Sequence, residues 1–125
     1  GLVAGNSLGY AMARGLPGVV ASALEAALTE QISRLADGGP SQAELDRAKV
    51  QYSREWLMEM SHVDSRAEHL SAYATLHRDP ERVNRRLGEV LNLSIADVAQ
   101  TAAAWLRPEN AVVLCYHQEA ADATS

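Results

Sequence analysis

Phenylalanine is absent from the 125 residues, and aromatic side chains make up only 5% of the chain, as two tryptophans and four tyrosines. The core must therefore be built mainly from Ala, Leu and Val, a composition that favours closely packed helices. Cys115 is the single cysteine, which excludes an internal disulfide and a cysteine-based zinc knuckle. One cysteine also suits a reducing compartment, and we expect a cytoplasmic protein.

Basic residues are also scarce. Eleven Lys and Arg stand against sixteen Asp and Glu, which gives a formal charge of −5. A net negative charge disfavours binding to the phosphate backbone of a nucleic acid, so we expect no nucleic-acid partner. The least charged stretch, residues 1–24, contains Arg14, Pro17 and several glycines, and it resembles neither a membrane span nor a secretory leader. We expect no membrane partner, and we interpret residues 1–117 as part of one domain, followed by a flexible tail over 118–125.

Apolar residues spaced three and four apart predict five helices: about 19–36, one starting at 42, one after a break at 61–64, one over 80–91, and one over about 95–107. Ser41 with Glu44 and Ser94 with Asp97 form the sequence pattern of a capping box, and Ser61 with Asp64 repeats it. The residues predicted to face the core are Val20, Leu24, Ala27, Leu28, Ile32 and Leu35; Leu45, Ala48, Tyr52, Trp56 and Met60; Val63, Ala67, Leu70 and Ala74; Val83, Leu87 and Val90; and Ile95, Val98, Ala102 and Trp105.

Two short segments are typical of strands. Residues 8–13 loosely alternate in hydrophobicity and are bounded on both sides by turn residues. Residues 111–116 form a continuous apolar run. The predicted fold class is therefore α+β, with about five helices packed against a sheet. Since two short strands are marginal alone, we expect residues before Gly1 or a partner chain to supply the rest of that sheet.

No catalytic or metal-ligating constellation emerges from the motifs. Residues 65–69 differ by one residue from the zinc motif H-x-x-E-H, and Ser65 removes one of its histidine ligands. We interpret His69 as a surface histidine and His77 as a favourable residue at the negative end of a helix dipole. Cys115 is predicted to be a buried, unreactive side chain. The sequence therefore predicts no metal site and no nucleophile.

Three arginines on one face of the fourth helix form a candidate anion site. Acidic residues spaced four residues from Arg85 favour a salt-bridged, solvated face instead. The arginines are Arg82, Arg85 and Arg86, and the acids are Glu81 and Glu89.

From about residue 24 to residue 114 the chain resembles the insulinase or pitrilysin-type zinc metallopeptidases, including the bacterial relatives of mitochondrial processing peptidase. Three phrases carry the resemblance in the family's order: GPSQAELDRAK, DSRAEHLSAYATLHRDPERVN and LSIADVAQTAAAWLRPENAVVL. The resemblance implies the helical half and last strand of one repeated α+β domain. In the family such domains assemble in pairs into a clamshell around an extended peptide.

The family's zinc is held by an H-x-x-E-H helix and a distal glutamate, and this chain lacks that motif. The resemblance therefore implies a non-catalytic segment that helps to form the peptide-holding chamber. It has no cofactor of its own, and its partner is the rest of the protein or a companion subunit with the zinc. We interpret Tyr10 in the first place as an ordinary residue of the predicted strand. It could also match a substrate-binding tyrosine of the family, although the accompanying arginine would fall at Val3.

Two alternatives remain open at this stage. The chain could be a structural subunit of the same fold with no proteolytic role, like the core proteins of a respiratory complex. It could also be an unrelated helical protein-interaction module that shares the caps and the periodicity. An H-x-x-E-H motif in neighbouring sequence or in a companion chain would favour proteolysis over the first alternative. A fragment that folds without a sheet edge awaiting pairing would favour the second.

Overall fold

The computed structural model describes residues 9–116, and helices form most of that range. The helices are α1 (Ala21–Gly38), α2 (Gln42–Ser61), α3 (Val63–His77), α4 (Arg82–Leu91) and α5 (Ile95–Trp105), followed by a single 3₁₀ turn at Pro108–Asn110. The predicted starts of α2 and α5 are confirmed. The fourth helix begins two residues later than predicted, because Pro80 and Glu81 form a turn that precedes it.

The helices pack in two groups. α5 packs against α1, and α2, α3 and α4 pack against one another. The core of the second group consists of Trp56, Tyr73 and Val83, with the partly buried Tyr52, Met60 and Leu87 around it. The inward faces predicted for α2 and α4 are confirmed by Leu45, Trp56 and Val83, which are all buried.

Gly39 sets the end of α1 against α5. Its φ of 67° lies in the left-handed region that favours glycine, and its amide donates to the carbonyl of Leu35. A β-carbon at this position would lie 2.7 Å from the β-carbon of Ala99 on α5. Glycine therefore serves both the turn and the close approach of the two helices.

The start of α2 is also tied to α1. Ser41 Oγ accepts from the amide of Glu44, and the Glu44 carboxylate accepts from the amide of Ser41, so the predicted capping box is present. Arg34 Nη2 of α1 donates to Glu44 Oε1 over 2.8 Å. This hydrogen bond with Arg34, together with the bonds from Ser41, lowers the pKa of Glu44 to about 2.

The break between α2 and α3 is confirmed at His62, whose backbone is extended. The capping box predicted at Ser61 and Asp64 does not form, since Ser61 Oγ donates to the carbonyl of Met58 and His62 occupies the N-cap. Arg66 closes the junction by donating from Nε and Nη2 to the carbonyl of Met60. The two helices thus form a tight hairpin.

The prediction of an α+β fold is wrong, because residues 9–116 are helical or irregular and contain no strand. Leu8 lies outside the described residues, and 9–13 and 111–116 are irregular and exposed, with Val112 88% exposed. A strand needs a neighbour for its backbone hydrogen bonds, and the described range offers none. Cys115, predicted to be buried in the second strand, is exposed for the same reason.

The inward face predicted for α3 is wrong, and the face predicted for α5 is confirmed at Ala102 but wrong at Trp105. Val63 is 81% exposed on α3, and the helix instead buries Tyr73, because its aromatic side fills the space beside Trp56. Trp105 is 71% exposed, and Leu106 lies beside the end of α1 in its place. Local periodicity gives a helix but does not decide which of two apolar sides meets a neighbour.

We expect Trp56→Ala to lower the free energy of unfolding by about 3–5 kcal/mol, because it removes a buried indole from a small core. Trp105→Ala is the matched control, and its exposed ring should change that energy by less than about 1 kcal/mol. Urea unfolding followed by circular dichroism measures both. Equal losses in the two variants would contradict this account of the core.

We expect Glu44 to make stability depend on acid pH. Its pKa is lower in the folded chain than its ordinary 4.5, so its contribution is fully present above about pH 4.5 and is lost as the pH falls toward 2. The difference in unfolding free energy between the wild type and Glu44→Gln should therefore shrink over that range. Glu68→Gln, on α3, controls for loss of one carboxylate. A wild-type to Glu44→Gln difference that stays constant with pH would contradict the prediction.

Candidate functional site

A groove of about 240 Å³ lies between α2 and α3 and reaches α4. Aromatic rings and histidines form half of its lining, with carboxylates on one side and an arginine at one end. We call it the aromatic groove, and its lining residues are Tyr52, Glu55, Trp56, Glu59, His69, Ala72, Tyr73, Leu76, His77 and Arg86.

Five rings contact one another in succession on the two helices that line the aromatic groove. Tyr52 and Trp56 are one turn apart on α2, and His69, Tyr73 and His77 follow each other by single turns on α3, so each set lies on one helix face. Consecutive ring centroids are 6.1, 4.9, 6.4 and 5.7 Å apart in the order Tyr52, Trp56, His69, Tyr73, His77. These spacings are within the range of favourable aromatic contact.

His69 joins this row of rings to the acidic side of the groove. Its Nε2 lies 3.1 Å from Glu59 Oε2, and its side chain is 31% exposed. When Nε2 carries a proton it donates to that carboxylate. The contact fixes the orientation of the imidazole, which packs against Trp56 with centroids 4.9 Å apart.

Arg86 occupies the opposite end. Its Nε donates to the Tyr52 hydroxyl over 3.2 Å, and its guanidinium carbon lies 5.9 Å from the centre of that ring. Burial alone would lower the pKa of Arg86, but its hydrogen bond with Tyr52 and the charges of nearby groups outweigh burial and raise that pKa. For Tyr73, whose charged form is the anion, burial has the opposite effect and raises the pKa. Both groups therefore keep their ordinary charge at neutral pH.

The salt-bridged face predicted for α4 is confirmed in part. Glu89 lies 3.3 Å from Arg82 and 3.7 Å from Arg86, while Arg85 pairs with Asp79. Glu81 joins none of the ion pairs of the described residues. Because Arg86 is half-buried in the aromatic groove, only part of the arginine face is solvated.

The aromatic groove is a small recess. Its volume lies below the roughly 300–1,000 Å³ of small-molecule sites. No serine or cysteine lines it. Within residues 9–116, no three metal-ligating side chains are grouped closely enough to hold an ion. The residues present do not fit the zinc of the resembled family, which would have to be held outside them.

The sequence-predicted candidate Tyr10 lies elsewhere. It belongs to the irregular stretch before α1 and is 90% exposed, and Val3 is outside the described residues. His77 ends α3, as predicted from the helix dipole, but its ring also lines the aromatic groove. The groove itself was missed. Its only sequence signal is the four-residue spacing of Tyr52 with Trp56 and of His69 with Tyr73.

Comparison of the chain with models of protein families, with curated proteins and with solved structures gives no significant match. The resemblance to the insulinase-type peptidases therefore remains a prediction. Among the helices at 21–105, none is both long enough and apolar enough to cross a lipid bilayer.

We expect Tyr52→Phe to lower the free energy of unfolding by about 0.5–1.5 kcal/mol, since the Arg86 guanidinium then loses a hydrogen-bond acceptor in a half-buried place. Tyr10→Phe removes the same hydroxyl from a ring that is 90% exposed and is the matched control. Chemical denaturation measures both variants. A Tyr52→Phe variant as stable as the control would show that the bond contributes nothing.

Proposed function

We propose that this chain is a non-catalytic segment of an insulinase-type zinc metallopeptidase that helps to hold the peptide, with hydrolysis at a zinc site outside the chain. The aromatic groove carries the proposal, because it offers one polypeptide side chain an apolar floor with polar groups at its edges. The order of the three family-like phrases supports the family assignment. In the family mechanism, zinc polarises the scissile carbonyl and a glutamate acts as general base, and no residue of this chain is assigned to those roles.

Holding a peptide requires a surface that buries part of one side chain and keeps its own shape. Trp56 and Tyr73 form the floor and are 7% and 6% exposed, so packing already fixes their rotamers. Ala72 and Leu76 add apolar surface along α3. A pre-ordered site loses less conformational entropy when the peptide binds.

A second candidate function is a helical protein-interaction module unrelated to any peptidase. The all-helical fold of residues 9–116 favours it, because no described sheet edge is left to be paired. Such a module would use the same aromatic groove. The two candidates differ in what surrounds the chain rather than in how the groove binds.

The groove is tested by titrating the Trp105→Phe variant with a panel of short unstructured peptides and recording tryptophan fluorescence. Trp56 is then the only indole, and its emission should shift when a side chain enters the groove. Leu76→Asp, at the groove edge, should raise the dissociation constant of the tightest-binding peptide by about tenfold or more. Leu93→Asp, a leucine of similar exposure away from the groove, is the control and should bind normally.

Further results test the groove and decide between the two candidates. Absence of any peptide response, or an equal loss in both leucine variants, would contradict a peptide-holding groove. An H-x-x-E-H motif in the intact gene product or in a companion chain supports the peptidase, and its absence from both supports the interaction module. Cleavage of peptides by this chain alone with added zinc would overturn the non-catalytic assignment.

A further inference from the structure

The side of α2 that points away from the core has a heptad pattern. Ala43, Val50 and Leu57 are spaced by seven residues, and Arg47, Arg54 and Ser61 form a second series with the same spacing. The two series alternate at intervals of three and four residues, which is the spacing of the a and d positions of a heptad, with apolar side chains at one position and Arg or Ser at the other. Together the two series form the seam of this face. We call these six residues the outer α2 face.

The outer α2 face is open to solvent. Val50 is 71% exposed and Leu57 is 62% exposed, whereas Trp56 on the other side of the helix is 7% exposed. α2 meets α3 and α4 through the side that carries Trp56. A helix of 20 residues is about 30 Å long, so the seam runs along nearly three heptads.

The charge on this face points to the chemistry of what would cover it. Arg47 and Arg54 make no ion pair with any residue in the described range, and they are the only charged members of the seam. Most other arginines of the same range do pair with a carboxylate; these are Arg34, Arg82, Arg85, Arg86 and Arg107. Two unpaired guanidinium groups beside exposed Val50 and Leu57 therefore match an apolar surface that carries carboxylates.

We propose that the outer α2 face docks an amphipathic helix of a different chain, with apolar side chains against Val50 and Leu57 and Asp or Glu against Arg47 and Arg54. A second copy of this chain does not meet that requirement. Parallel pairing would place each arginine opposite its own copy, and antiparallel pairing would place Arg47 opposite Leu57 and Arg54 opposite Val50. Neither register brings a carboxylate into the seam, so the face selects an acidic partner helix.

The test uses the full chain and designed helical peptides of about 21 residues, with Leu at one seam position of each heptad. Three versions carry Glu, Gln or Lys at the other seam position, and fluorescence anisotropy of the labelled peptide measures the dissociation constant. We expect the Glu peptide to bind roughly three- to tenfold more tightly than the Gln peptide, and the Lys peptide to bind most weakly. The difference should shrink between about 50 mM and about 500 mM salt.

Charge reversal supplies the decisive variant. Arg47→Glu/Arg54→Glu should reverse the order, so that the Lys peptide binds most tightly. Arg14→Glu/Arg107→Glu changes the net charge equally but lies off the face, and it should keep the original order. Circular dichroism checks that both variants stay helical.

Three results would overturn the proposal. The peptides could bind equally, the Glu peptide could fail to bind, or the chain could self-associate through this face. Self-association would appear in sedimentation as a dimer that Val50→Asp/Leu57→Asp dissociates.

Discussion

The packing of one indole ring, that of Trp56, is the contact on which the described structure most depends. It is 7% exposed, few other side chains of residues 9–116 are buried, and it lies against the ring of His69 across the α2–α3 hairpin. Large aromatic side chains remove more apolar surface from water than any other type, so a small core depends heavily on each one. The floor of the aromatic groove is the outer part of this same cluster. The packing of the core therefore also holds the groove residues in fixed positions.

α2 is the element that relates the two surfaces to each other. One side of this helix carries Tyr52 and Trp56 toward α3 and α4, and the other carries Val50 and Leu57 into solvent. A straight helix keeps these sides apart, so that a peptide in the groove and a helix on the outer α2 face would not compete. The cap at Ser41 and its connection to Arg34 hold the same helix in position relative to α1.

Some polar side chains of the aromatic groove are bound to one another, as Glu59 is to His69 and as Arg86 is to Tyr52. Pairing of this kind holds the side chains in place, so a ligand would meet a surface whose shape is already set. The two functions proposed for the chain, a supporting segment of a peptidase and a helical module that binds other proteins, both require such a surface.

The amino-acid sequence by itself determined the helices and several of their ends, because those ends depend on hydrogen bonds within four residues. The capping boxes of Ser41 with Glu44 and of Ser94 with Asp97 are of this kind. The break at His62 lies where a third cap is predicted, although that cap does not form. Tertiary structure decided what needs a distant partner: residues 111–116 did not become a strand, and the groove formed where separate helices meet. Tertiary contacts also chose which side of α3 and of the end of α5 is covered, because periodicity shows that a helix has an apolar side but not what packs against it.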